Sequence, residues 1–91
     1  MAQRKNNASE PELYNRLASL RAERGISRKQ LAQELGVHYQ TIGYLERGEY
    51  SPSVTLALRI ARVFKLPLEA VFSLEPFRAL SAQVYGSGEE R

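Results

Sequence analysis

"LAQELGVHYQTIGYLERG", Leu31 to Gly48, is the stretch on which the fold turns. Leu31, Ala32 and Leu35 mark one face of a short helix. Gly36 stops it, because glycine readily takes the left-handed conformation of a helix end. Val37, Ile42 and Leu45 then resume helical spacing on a second short helix that begins near His38 and ends at Gly48. Two short helices crossing closely need a small residue at the crossing, a glycine where the chain reverses and branched apolar residues to lock the angle. Ala32, Gly36, Val37 and Ile42 supply them, and that ordered set is the grammar of a helix-turn-helix. The second helix also carries His38, Tyr39, Gln40 and Tyr44, large and polar-tipped, with Gly43 among them.

Working outward, the other elements follow from caps and apolar spacing. Ser27 and Gln30 have the spacing of a capping box at the start of the helix before Gly36. Ser9 and Glu12 have the same spacing, with Pro11 tolerated in a first turn, and predict a helix running to Gly25. Its apolar stripe is Leu13, Leu17, Leu20 and, less strictly, Tyr14. In "EYSPS", Pro52 holds the chain extended and Ser53 caps a fourth helix, with Val54, Ala57, Leu58, Ala61 and Phe64 at helical spacing. A short fifth helix is expected after Pro67, with Leu68, Val71 and Phe72 as its apolar contacts. No strand pattern precedes residue 74. Beyond Leu74, Phe77, Leu80 and Val84 suit a helix, while Leu80, Ala82 and Val84 alternate as a strand does. The expected layout is a disordered tail over 1–8, an all-α five-helix domain over 9–74, an extension over 75–85, strand or helix, and a flexible tail over 86–91.

Composition narrows the functional classes. The chain has 91 residues, enough for one small domain, and no cysteine, which excludes disulfides and thiolate metal sites. His38 is the only histidine, so neither a metal site nor a cofactor is expected. No paired carboxylates, nucleophile motif or phosphate loop marks an enzyme. No apolar run approaches the ~20 residues of a membrane span, and the N-terminus lacks the apolar core of a signal peptide, so a cytoplasmic protein is expected. The net charge of +3, with arginines outnumbering lysines, hints at an anionic partner.

At this point "GISRKQLAQELGVHYQTIGYLERGEYSPSVTLALRIARVF", Gly25 to Phe64, resembles the Cro/phage-repressor (Xre-like) helix-turn-helix family. "LGV", "QTI", "LERGEYSPS" and "ALRIARVF" carry the likeness, which runs from about Leu13 to Phe72. The resemblance implies a five-helix domain that binds double-stranded DNA, usually as a homodimer on a palindromic operator. It also implies a buried ion pair between Arg21 and Glu46, joining the first and third helices. Such a pair orients the third helix more than it stabilises, since desolvation offsets much of its attraction. His38 departs from the family, whose members more often cap this helix with serine or threonine.

The third helix would enter the major groove with its N-terminal residues toward the bases. Gln40 is the best base reader, because a carboxamide both donates and accepts and so matches the N6 and N7 edge of adenine. Tyr39 and Tyr44 either touch a thymine methyl or phosphate, or half-cover the core. His38 either caps the helix or contacts DNA. Gly43 is either a clearance for the groove or a tolerated surface glycine. Arg28 and Lys29 sit at a helix N-terminus, where positive charge opposes the helix dipole, so an anion outside explains them better than solvent does. Arg47 extends the phosphate contacts at the end of the third helix. Tyr50 and Ser53 lie near the loop that family members lay along the DNA backbone.

A partner chain is expected as well. Leu66, Leu68, Val71, Phe72 and Leu74 form a candidate dimerisation surface, which the segment after Leu74 either extends across a two-fold axis or covers for itself. The reading is a repressor-type regulator that binds DNA as a homodimer. The alternative is a protein-binding role, as the antitoxin of a toxin–antitoxin pair or as a helical adaptor.

Overall fold

The computed structural model describes residues 11–77. Four α-helices, α1 (Leu17–Arg24), α2 (Arg28–Leu35), α3 (Tyr39–Glu46) and α4 (Val54–Phe64), are framed by two short strands, β1 (Tyr14–Asn15) and β2 (Phe72–Ser73). A single 3-10 turn, Leu68–Ala70, stands between α4 and β2. The strands pair antiparallel, Tyr14 opposite Ser73 and Asn15 opposite Phe72. The all-α helix-turn-helix class is as expected, with the fifth helix reduced to that turn.

The helix stops and two of the helix starts follow the local chemistry of the sequence. Gly25 and Gly36 close α1 and α2 with φ of 66° and 71°. Ser27 accepts from the Gln30 backbone N–H while the Gln30 side chain accepts from the Ser27 N–H, so the capping box is complete. Ser53 accepts from the Leu56 N–H at 3.0 Å and starts α4. His38 caps α3: its Nδ1 accepts from the Gln40 N–H at 3.1 Å. That bond requires an unprotonated Nδ1, so a neutral imidazole here replaces the usual hydroxyl or carboxylate.

The start of α1 differs from the expected helix at Ser9. Ser9 lies outside the described residues, and Pro11 and Glu12 are exposed and non-helical. The chain instead enters through β1, whose pairing with β2 holds Tyr14 and Asn15 extended. The Asn15 side chain then does two jobs. Its Oδ1 accepts from the Leu17 N–H at 2.9 Å, and its Nδ2 donates to the Leu45 carbonyl at 2.8 Å. One carboxamide thus starts α1 and adds a second bond to a carbonyl at the end of α3 that also accepts from the Gly48 N–H at 3.1 Å.

The core is built from Leu17, Leu20, Leu31, Ala32, Leu35, Ile42 and Leu45 with Leu56, Ala57, Ile60, Ala61 and Phe64 of α4. Val71 and Phe72 join it from the C-terminal side. On α4 the expected stripe is rotated: Leu56 and Ile60 are buried, while Val54 and Leu58 are 72% and 51% exposed. Three arginines tie the elements together at carbonyls that helix ends leave open. Arg16 Nε donates to Ala70, Arg24 Nη2 to Phe64 and Arg59 Nη2 to Leu35, all within 2.8 Å. The arginine-rich composition therefore serves the fold as well as any anion.

Candidate nucleic-acid interface

The α2–α3 unit presents one continuous polar and aromatic face. Val37, Ile42 and Leu45 turn inward, Val37 only in part. Tyr39 and Tyr44 turn outward, 45% and 44% exposed, and Gln40 between them is exposed. The imidazole of His38 stacks on the Tyr39 ring, centroids 4.9 Å apart and planes 24° apart. The Lys29 ammonium stands 5.7 Å above that ring. Tyr39 is thus held between the starts of α2 and α3 by a stack and a cation–π contact, rather than by the core.

Arg28 finds its anion within the chain. Its Nε donates to Glu46 Oε1 at 3.0 Å. The same carboxylate accepts from Arg21 Nε at 2.6 Å and Arg21 Nη2 at 3.3 Å. The Glu46 side chain is 4% exposed, against 16% for Arg21 and 51% for Arg28. The ion pair implied by the family resemblance is present, and a second arginine joins it. The sequence reading weighed an outside anion against solvent for Arg28 and did not foresee this internal one: a buried carboxylate one helix away offsets its poor place at the α2 N-terminus. The Arg28 side chain as a whole stays half exposed.

Gly43 is buried rather than open. A Cβ added to it would stand 3.2 Å from Arg47 Nη1. The Arg47 side chain runs back along α3 from the helix end and covers Gly43, with Cζ 5.5 Å from the Tyr44 ring centroid. Glu49 holds it there: Arg47 Nε donates to Glu49 Oε2 at 3.0 Å and Nη2 to Oε1 at 3.3 Å. Hydrogen bonding to Glu49 is the main reason that the guanidinium pKa is raised above its ordinary value. Arg28, Tyr39, Gln40, Gly43, Tyr44 and Arg47 together surround a shallow hollow of about 180 Å³.

Seven of the eight residues singled out for DNA contact therefore meet on one face, and the eighth, Gly43, forms its floor. Sequence reasoning missed Glu49 and Asn15. Glu49 lies just beyond Gly48, whose φ of 75° turns the chain back toward Arg47. Asn15 had a local signal, an asparagine two residues ahead of the buried Leu17, but the Ser9 box masked it. Tyr50, 40% exposed, and the capping Ser53 follow in the loop beside this face. No helix among the described residues is long and apolar enough to cross a membrane.

Comparison with known proteins agrees with this architecture. The helix-turn-helix family model matches residues 17–71, from the start of α1 to the buried Val71. The HTH-type transcriptional regulator YgzD of Bacillus subtilis is 43% identical over 63 residues, covering 69% of this chain and 96% of YgzD. An HTH-type transcriptional regulator of Archaeoglobus fulgidus is 44% identical over 60 residues, 66% of this chain and 86% of that protein. The crystal structure of a transcriptional regulator from Listeria innocua superposes with a TM-score of 0.57 at 28% identity, covering 81% of this chain and 71% of that one. The matched core, the completed α2–α3 unit and the polar face it carries all lead to one assignment: the chain belongs to the Xre-like helix-turn-helix family of DNA-binding transcriptional regulators.

Proposed function

We propose that the protein is a sequence-specific repressor that binds a palindromic operator as a homodimer, in the cytoplasm and without enzymatic activity. The observation that carries this reading is the composition of the α3 outer face. Gln40 stands exposed between two half-exposed tyrosines, ringed by Arg28 and Arg47. A carboxamide set among cations and aromatic rings suits base edges flanked by phosphates. In this reading Gln40 reads adenine, Tyr39 and Tyr44 touch methyl groups or phosphates, and Lys29 and the outer edge of Arg28 meet the backbone. His38 orders the first turn of α3 and backs the Tyr39 ring.

The dimer surface narrows. Val71 is fully buried and Phe72 is 7% exposed within the protein's own core, so neither is available to a second copy. Leu66 and Leu68 pack in part against the core, and Leu74 is 61% exposed. These three remain as the contact. The rest of the proposed extension, residues 78–85, lies outside the described residues, as do the expected tails over 1–8 and 86–91. A protein-binding role, including that of an antitoxin, is favoured by one observation: Val54 and Leu58 expose aliphatic surface on α4 at a four-residue spacing.

Selection from random-sequence DNA with the purified protein tests the reading. A two-fold symmetric site with half-sites about one turn apart, ~34 Å, is the expected result. Failure to enrich any sequence would sink it. Gln40→Ala should then weaken operator binding by roughly tenfold, within the ~1–3 kcal/mol of a bidentate base contact, and leave non-specific binding nearly unchanged.

A further inference from the structure

Arg47 folds further back along α3, over Gly43, than a cation at the helix end needs to in order to meet a phosphate. Side chains on a helix lean toward its N-terminus. Arg47 takes this to its limit, folding over Gly43 so that its guanidinium occupies the space that a side chain at position 43 would fill. That space lies beside Gln40 and Tyr44, in the middle of the reading face rather than at its edge. Three features fix the group there: the missing side chain of Gly43, the ring of Tyr44 and the two hydrogen bonds to Glu49.

The Glu49 carboxylate is informative because it is out of place. A negative charge on a surface that meets a polyanion opposes binding. Its two bonds engage the Nε and Nη2 edge of Arg47 and set the plane of the guanidinium. Among the described residues, the remaining N–H groups, two on Nη1 and one on Nη2, have no acceptor. The parallel pair on the Nη1 and Nη2 edge matches two acceptors side by side, the O6 and N7 of guanine.

We propose that Arg47 is a guanine-reading residue, seated over Gly43 and oriented by Glu49, so that α3 reads a guanine through Arg47 beside the base read by Gln40. Glu49 is a positioning residue: it gives up some general DNA affinity for a fixed guanidinium plane. This rests on the DNA-reading role proposed above and names a base for it.

The experiment measures binding of wild-type protein, Arg47→Ala and Glu49→Gln to the selected site, to that site with each base changed singly, and to unrelated duplex across a salt series. In wild-type protein one guanine per half-site should be preferred by about 5- to 150-fold, the range of a bidentate base contact. Arg47→Ala should abolish that preference and leave the other positions as they were. Glu49→Gln should bind unrelated duplex more tightly and yet lose several-fold of the guanine preference. These opposite signs are the signature of positioning, because a structural defect would weaken both. Equal weakening of every sequence by Arg47→Ala, with the salt slope reduced by about 0.9, would make Arg47 a phosphate contact and overturn the proposal. Unchanged base preferences in Arg47→Ala would overturn it while leaving the DNA-reading role intact. Failure of the wild-type protein to enrich any sequence would remove both.

Discussion

Glu46 and Glu49 stand three residues apart, and each grips arginine through two carboxylate oxygens, yet they do different work. Glu46 is 4% exposed and takes hydrogen bonds from Arg21 of α1 and Arg28 of α2. Glu49 is 54% exposed and takes both of its bonds from Arg47, at the end of the same helix. The first pair ties three helices through a carboxylate that has lost its water. The second sits in water, where screening and side-chain entropy leave an ion pair little net energy. Depth therefore separates a contact that fixes where α3 lies from one that fixes how a side chain on α3 is presented.

The sharpest way to break this contrast is to remove the buried member. Glu46→Ala leaves the Arg21 guanidinium largely enclosed with its strongest acceptor gone. Arg21 keeps only the Ile26 carbonyl, at 3.1 Å. Losing one partner of a buried pair costs about 3–5 kcal/mol, and the partial exposure of Arg21 places this case near 3. Out of a total of about 5–15 kcal/mol, that is a large share. Urea denaturation followed by far-UV circular dichroism measures it. A loss below about 1 kcal/mol would put Glu46 in the same class as Glu49.

Arg28→Ala sharpens the contrast from the other side. Arg28 is half exposed and Glu46 keeps Arg21 without it, so stability should fall by no more than about 1 kcal/mol. DNA affinity should fall on all sequences alike, with a salt slope lower by about 0.9, because the Arg28 side chain as a whole stays half exposed. A salt slope that does not move would confine Arg28 to the buried cluster.

These pairings also mark how far the sequence could be read. The caps at Ser27 and Ser53 and the stops at Gly25 and Gly36 were legible because each depends on residues three or four apart. The Arg21–Glu46 pair came from family resemblance, and spacing alone would not have found it. The false start at Ser9 obeyed the same local rule as Ser27. It lost to a pairing of Tyr14 and Asn15 with Phe72 and Ser73, two residues long and too short to leave a period. The same pairing explains why Phe72 lies in the protein's own core. On the outer face of α2 and α3, Tyr39, Gln40, Tyr44, Arg28 and Arg47 were legible as a surface set. What was not legible was which partner each cation takes, because Glu46 and Glu49 reach theirs across a helix crossing and a reversed turn.

Gly43→Ala probes the seat of the exposed pair. Alanine is favoured over glycine inside a helix by about 0.5–1 kcal/mol, so the variant should melt at a higher temperature. The new Cβ would stand 3.2 Å from Arg47 Nη1, the far end of a flexible side chain, which gives way at little expense. Stability should therefore rise while guanine preference falls. Differential scanning calorimetry beside the base-substitution series reads both. A destabilised Gly43→Ala would mean that the Arg47 seat is rigid and that the second pair carries structure after all.

The smallest effect is the most discriminating. Glu49→Gln keeps the shape of the side chain and removes its charge. Both groups are about half exposed, at 52% and 54%, so screening and side-chain entropy leave the pair little net energy, and denaturation midpoints should coincide within error. Glutamine still offers one carbonyl oxygen to Arg47, and its amide group cannot accept, so one of the two bonds that set the guanidinium plane is lost. Stability unchanged with altered DNA reading is the pattern that depth predicts for an exposed carboxylate. A midpoint shift worth more than about 1 kcal/mol would show that the turn at Gly48 depends on this pair, and depth would then no longer separate the two carboxylates.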